Sequence, residues 1–304
     1  MVRSQKSAQS RDVTPAQRAI LLALGRYYYL TARQATCLLY APSSLTRVQA
    51  LVKELADDGY CQRLFLPRPT PHGRVPAVYT LGRLGRVHLA AVGVDVPTRL
   101  RLSEAREHRY LFLDHTLAVN DCLIAMELLA RRAPQIVIRT MLHERALRHM
   151  PIAVTDPDGR QASVIPDGWL DLRVVLPDGT YRSCIALEID RGTTEQKAFR
   201  RKIAHWVAAA DGPYREAFGT DLLTVAIVAT PGEGRAEELL RWIAAELTSL
   251  HRPEAAVLFL VTSVDAASTD PATLYCGPVW RQCDSATPVP LIEGIAPSDG
   301  NGTR

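Results

Sequence analysis

Two apolar stretches of the chain end in acids. The first reads Val164-Ile165-Pro166-Asp167-Gly168-Trp169-Leu170-Asp171 and the second Cys184-Ile185-Ala186-Leu187-Glu188-Ile189-Asp190, with Lys197 and Lys202 following. Alternate side chains of a strand share a face, so Asp167 goes with Asp171 and Glu188 with Asp190. If the two strands are neighbours, three or four carboxylates converge. Oxygen-only clusters of that kind suit Mg²⁺ or Mn²⁺ and the metal-assisted cleavage of phosphodiesters. Lysine is scarce: only Lys6, Lys53, Lys197 and Lys202 occur among 36 basic residues, and two of these four follow the acidic pair directly.

These residues need a scaffold to bring them together. Apolar periodicity predicts a helix over 108–131, strands at 136–142, 164–176 and 181–189, a helix at 194–210, a strand at 222–229, a helix at 236–250 and a strand at 256–262. That order gives an α/β domain with a mixed sheet, assigned to residues 108–263. Residues 264–304 are rich in Pro, Ser, Thr and Gly, and are expected to form a short β appendage and an extended tail.

The first hundred residues read differently. Thr14-Pro15 starts a helix carrying Ile20, Leu21 and Leu24, and Thr31 caps a second with Ala35, Leu38 and Leu39. Ser43 or Ser44 caps a third, whose Leu45, Val48, Leu51, Val52 and Leu55 keep helical spacing up to Asp58-Gly59. Strands at 60–65 and 77–81 then flank a turn-rich segment, and a helix at 83–91 closes the unit. Helix, helix, helix, hairpin is the winged helix-turn-helix order, assigned to residues 13–95. Residues 1–110 carry 17 Lys/Arg against 7 Asp/Glu, net +10, whereas residues 111–304 carry 19 against 25, net −6. The basic half suits a polyanion. Ser44, Thr46, Arg47, Gln49 and Lys53 lie on the polar side of the third helix, which would enter the major groove. Arg63, Arg68, His72 and Arg74 populate the wing, with its arginines set to grip phosphate. Arg47 and Gln49 are the side chains best suited to read base edges.

Other function classes find little support. The six cysteines are scattered, with no paired spacing for zinc or a disulfide framework, which points to a reduced cytoplasm. No run of apolar residues is long enough for a membrane span. Gly232-Glu233-Gly234 lacks the Gly-Lys-Ser/Thr of a phosphate loop, and no serine-hydrolase elbow occurs. His115 and Asn120, five residues apart on the long helix, do not share a face. Glu144, at the end of the first strand, comes within reach of the acids but reads chiefly as a surface residue. Asp171 is as suited to pairing with an arginine as to binding a metal.

The order of elements, with Pro166-Asp167 and Glu188-Ile189-Asp190, resembles the restriction-endonuclease-like PD-(D/E)xK superfamily. There the second motif ends in a lysine that polarises the attacking water. Asp190 stands at that place here, so Lys197, or Lys202 about 7 Å further along the following helix, would have to reach back. The run Glu188-Ile189-Asp190-Arg191-Gly192-Thr193, followed by Lys202 and Trp206, is also similar to the bacterial replication-relaxation family. That family pairs a winged helix with a nuclease-like domain and tends to show Glu-x-Asp-x-Gly-Thr, then a lysine and an aromatic. The resemblance spans about residues 14–262. It implies Asp167, Glu188 and Asp190 as metal ligands for Mg²⁺ or Mn²⁺ and Lys202, preferred over Lys197, as the catalytic lysine. It further implies a DNA-binding protein of plasmid or mobile-element replication or DNA relaxation, acting as a metal-dependent nickase. The alternative is a non-catalytic winged-helix regulator of transcription or replication with a degenerate nuclease fold. Expected partners are double-stranded DNA, replication or mobilisation proteins and a second copy of the chain, and no membrane.

Overall fold

The computed structural model describes residues 13–65, 76–94, 111–156 and 158–296. The chain forms two compact units, Met1–Leu113 and Asp114–Arg304.

In the first unit the predicted caps set the helices. The Thr14 side chain accepts from the Gln17 N–H and the Gln17 side chain accepts from the Thr14 N–H, which starts α1 (Pro15–Tyr27). Thr31 and Gln34 repeat the device for α2 (Ala32–Leu39). A short 3₁₀ turn, Pro42–Ser44, leads into α3 (Leu45–Asp57), so neither Ser43 nor Ser44 caps α3 through its side chain. Val48, Val52 and Leu55 of α3 are buried with Ile20, Leu21 and Leu24 of α1. Strands β1 (Leu30–Thr31), β2 (Cys61–Phe65) and β3 (Ala77–Leu81) form an antiparallel sheet in the order β1-β3-β2. Helix α4 (Arg83–Ala91) follows. The elements are those expected of a winged helix, and the tip of the wing, with Arg68, His72 and Arg74, lies outside the described residues.

Gly85 of α4 makes a close approach that no side chain allows. A Cβ there would stand 2.2 Å from the Tyr60 carbonyl oxygen. Gly85→Ala is expected to destabilise this unit by about 1–3 kcal/mol. Chemical denaturation would register that as a lower midpoint; an unaltered midpoint would mean that the backbone yields freely.

The second unit takes in α5 (Leu111–Arg132) from Asp114 onward and is built on a five-stranded sheet. Its strands are β4 (Ile136–His143), β7 (Gly168–Leu176), β8 (Gly179–Asp190), β9 (Thr224–Ala229) and β10 (Phe259–Thr262), in the order β10-β9-β8-β7-β4. The pairs β4·β7 and β7·β8 are antiparallel, and β8·β9 and β9·β10 parallel. This mixed sheet bears out the α/β class. Helices α7 (Gln196–Ala210) and α9 (Glu233–Ser249) cover one face, burying Ile203, Trp206, Leu239 and Ile243 against Trp169, Ala186, Val225 and Ile227. On the other face Gly168 lies against Leu123 of α5. Between α7 and α9 come α8 (Pro213–Phe218) and β9.

Two expectations change. The predicted strand over 164–176 is two strands: β6 (Gln161–Val164) folds back on β5 (Ile152–Thr155) as a separate hairpin, and β7 starts only at Gly168. Pro166 separates them because it offers no N–H to a ladder. Residues 264–296 are not an extended tail. They contain α10 (Pro271–Cys276), capped by Asp270, and bury Tyr275, Trp280, Leu291 and Ile292. Trp280 pairs with Val289 across an isolated bridge, and its indole N–H donates to the Leu274 carbonyl at 2.6 Å. A composition suited to loops thus conceals two large aromatic anchors. Residues 297–304 lie outside the described residues.

Candidate functional site

Because β7 and β8 run antiparallel with Gly168 opposite Leu187, the start of one strand meets the end of the other. Asp167, just before β7, donates its backbone N–H to the Leu187 carbonyl at 3.0 Å. Its carboxylate Oδ2 accepts the Ile189 N–H at 2.8 Å, and its Oδ1 lies 3.0 Å from His115 Nε2 on α5. Beside it stands Glu188, buried. Lys202 and Trp206 are one turn apart on α7 and reach the same carboxylate. The ammonium of Lys202 donates to Glu188 Oε2, and the indole N–H of Trp206 donates to Oε1 at 3.0 Å. Lys202, not the exposed Lys197, therefore meets the acids.

The electrostatics follow from this crowding. Burial drives the Glu188 carboxyl up to about 7, outweighing the nearby Lys202 charge. Burial would also raise Asp167, but the His115 hydrogen bond, the Lys202 charge and the Ile189 N–H hold it below the usual carboxylate range. Desolvation opposes the charge on Lys202, whose side chain is 43% exposed, yet Glu188, Asp167 and Glu144 together keep it protonated. His115 likewise ends above its ordinary value: burial lowers it, and Asp167 more than compensates.

Asp190 does not join this group. Arg235, from the first turn of α9, clamps it in bidentate fashion, Nε on Oδ1 at 2.7 Å and Nη2 on Oδ2 at 3.0 Å. The Gly192 N–H also donates to Oδ1 at 2.8 Å. The side chains are 5% and 10% exposed, so the pair is buried, and both Asp190 oxygens are engaged by Arg235. Gly192 has φ +73°, and a side chain there would run into Pro231, which explains the glycine of the motif. The Glu-x-Asp-x-Gly segment thus divides its labour: Glu188 faces the site, while Asp190 and Gly192 build the turn beyond it. Asp171 is also taken, by Arg182 at 3.0 and 3.1 Å.

From the sequence, His115 is set aside as a helical pair with Asn120, and Arg235 gives no signal at all. His115 sits among apolar helix residues, and its partner comes from a distant loop. Arg235 contacts Asp190 across 45 residues, with no local signal to connect them.

In the first unit Thr46, Arg47, Gln49 and Lys53 are exposed on α3, and Ser44 is half-buried at its start. Thr46, Gln49 and Lys53 share one side of the helix. Lys53 forms an exposed ion pair with Asp57 at 2.7 Å, a contact weak enough for a phosphate to displace. Arg63 is exposed on β2, with its guanidinium 4.6 Å from the centre of the Phe65 ring. Arg68 and Arg74 lie outside the described residues.

The fold and the site together define a two-unit α/β protein in which a basic helix-and-hairpin module precedes a mixed sheet with acids at the adjoining ends of its interior strands β7 and β8 and a lysine from the helix that follows. The chain belongs to the replication-relaxation family, whose sequence model matches residues 21–220. No curated protein and no solved structure matches it. Family membership suggests a role in plasmid or mobile-element replication or relaxation, with DNA and replication-related partners. Among the described residues no helix is long and apolar enough to cross a membrane.

Proposed function

We propose that the protein binds double-stranded DNA through its basic first unit and nicks it at Asp167, Glu188 and Lys202 with the help of a divalent metal, as a step in plasmid or mobile-element replication or relaxation. The observation that carries this reading is the Lys202–Glu188 contact beside Asp167, which restores from a helix the lysine that the strand motif lacks. The strand order, with an antiparallel meander joined to parallel strands, agrees with a PD-(D/E)xK-like core.

The donor set around Asp167 fits a hard cation, whereas Asp190, held by Arg235, does not. A bound Mg²⁺ or Mn²⁺ would supply Lewis-acid polarisation of the scissile phosphate. The chain's own residues do the remainder. Lys202, kept protonated, stabilises charge on a phosphate oxygen or orients a water. Glu188, with a carboxyl poised near neutrality, accepts the proton of that water. Trp206 fixes Glu188 and closes one side of the site to bulk solvent.

The clamped Asp190 favours a second reading, a non-catalytic regulator of transcription or replication. Incubating supercoiled plasmid with the purified chain and either Mg²⁺ or Mn²⁺ separates the two. Open circles forming only with metal support the nickase; retained DNA binding with no nicking in either metal leaves the regulator.

The docking half makes its own prediction. Affinity of the full chain for duplex DNA should fall steeply with salt, the log–log slope reporting about 0.9 per phosphate contact. Arg47→Ala is expected to cost about 1–3 kcal/mol and to relax sequence preference if Arg47 reads a base edge. A uniform loss on all sequences would reassign it to phosphate, and binding indifferent to salt would sink the docking role.

A further inference from the structure

Among the described residues, one group offers three metal-ligating atoms within 4.8 Å of one another: His115, Glu144 and Asp167. They come from α5, from the first residue of α6 (Glu144–Leu147), which directly follows β4, and from the residue directly before β7. Sheet pairing holds two of these in place. His143 is opposite Gly168, and the Glu144 backbone N–H donates to the Asp167 carbonyl at 2.9 Å. Outer partners orient both carboxylates: the Ile189 N–H holds Asp167 Oδ2, and Arg148 holds Glu144 Oε1 at 2.7 Å.

We propose that His115, Glu144 and Asp167 form the divalent-metal site and that the imidazole makes it selective for Mn²⁺ over Mg²⁺. With metal–ligand bonds of about 2.1 Å, adjacent ligands of an octahedral ion stand about 3 Å apart and opposite ones about 4.2 Å. A group whose atoms lie within 4.8 Å closes on an ion through shifts of well under an ångström. Mg²⁺ prefers oxygen and keeps its waters, whereas imidazole suits first-row transition ions. Glu188 is not one of the three residues whose ligating atoms gather here, and its oxygens accept from Lys202 and Trp206. The assignment deepens the metal part of the proposed function and does not depend on cleavage.

The test uses the full chain stripped of metal, without DNA. Calorimetric titration should show Mn²⁺ bound about tenfold or more tightly than Mg²⁺, and pulsed electron paramagnetic resonance of bound Mn²⁺ should show coupling to one imidazole nitrogen. His115→Asn should abolish that coupling and weaken Mn²⁺ about 10–100-fold with little change for Mg²⁺, while Glu144→Gln should weaken both ions. Circular dichroism checks that each variant is folded. Mn²⁺ bound without nitrogen coupling, Mn²⁺ affinity unaltered in both variants, or no Mn²⁺ binding at millimolar concentration overturns the assignment. Nitrogen-coupled Mn²⁺ in a protein that never nicks plasmid would support the metal site and dispose of the nickase reading alone.

Discussion

Glu188→Gln is expected to reduce metal-dependent nicking by about 10²–10⁴-fold, the usual contribution of a positioned acid–base group, while leaving DNA affinity unaltered. The substitution is nearly isosteric and keeps an oxygen for Trp206 or Lys202, so the fold should survive. It removes the group proposed to take the water's proton. In the unmodified chain the nicking rate should climb with pH as Glu188 deprotonates around 7, and that limb should vanish in the variant. Stability offers an independent readout. The folded chain holds the Glu188 proton up to about 7 against an ordinary value of 4.5, so the stability this group contributes is complete below pH 4.5 and is lost as pH rises through 7. Glu188→Gln should flatten the stability curve over that window. Nicking at the unmodified rate, or an unaltered pH limb, would remove Glu188 from the chemistry.

Arg235→Met is expected to cost about 3–5 kcal/mol of folding stability, because it strands the Asp190 carboxylate in a buried position. The two groups share bidentate hydrogen bonds, and Arg235 also donates to the Thr194 carbonyl at 2.8 Å and to Glu238 at 2.6 Å. Pairing the change with Asp190→Asn should recover much of the loss, since no bare charge then remains. A double-mutant cycle in chemical denaturant measures the coupling directly. Strictly additive losses from the two single substitutions would mean that the contact contributes nothing of its own.

Much of this arrangement was legible wherever its causes are local. The Thr14/Gln17 and Thr31/Gln34 boxes need only four adjacent residues, and both helices begin where those residues place them. The likeness to the replication-relaxation family was legible for a related reason: Glu188, Lys202 and Trp206 stand at fixed spacing on one strand and the next helix. What was hidden depends on long-range partners. The alternation rule placed Asp190 beside Glu188, but which group neutralises it was decided by α9. The rule also assumed that Asp167 belongs to a strand, whereas Pro166 ends one hairpin and leaves Asp167 in the link to the next strand. His115 became part of the site only through the packing of α5, and the Trp280 anchor lay in a segment whose average composition resembles a linker.

The Asp190–Arg235 clamp also bears on where this protein can be cut. The stretch that identifies the family stops at residue 220, before β9, α9 and β10. A chain ended there would expose the flank of β8 from Ile185 to Asp190, which normally pairs with Thr224 to Ala229, and would leave a sequestered anion without its counter-ion. The recognisable sequence and the smallest autonomous folding unit are therefore different objects. In relatives, a change at the position of Asp190 should be inherited together with one at the position of Arg235, although only the first lies inside the stretch by which the family is recognised.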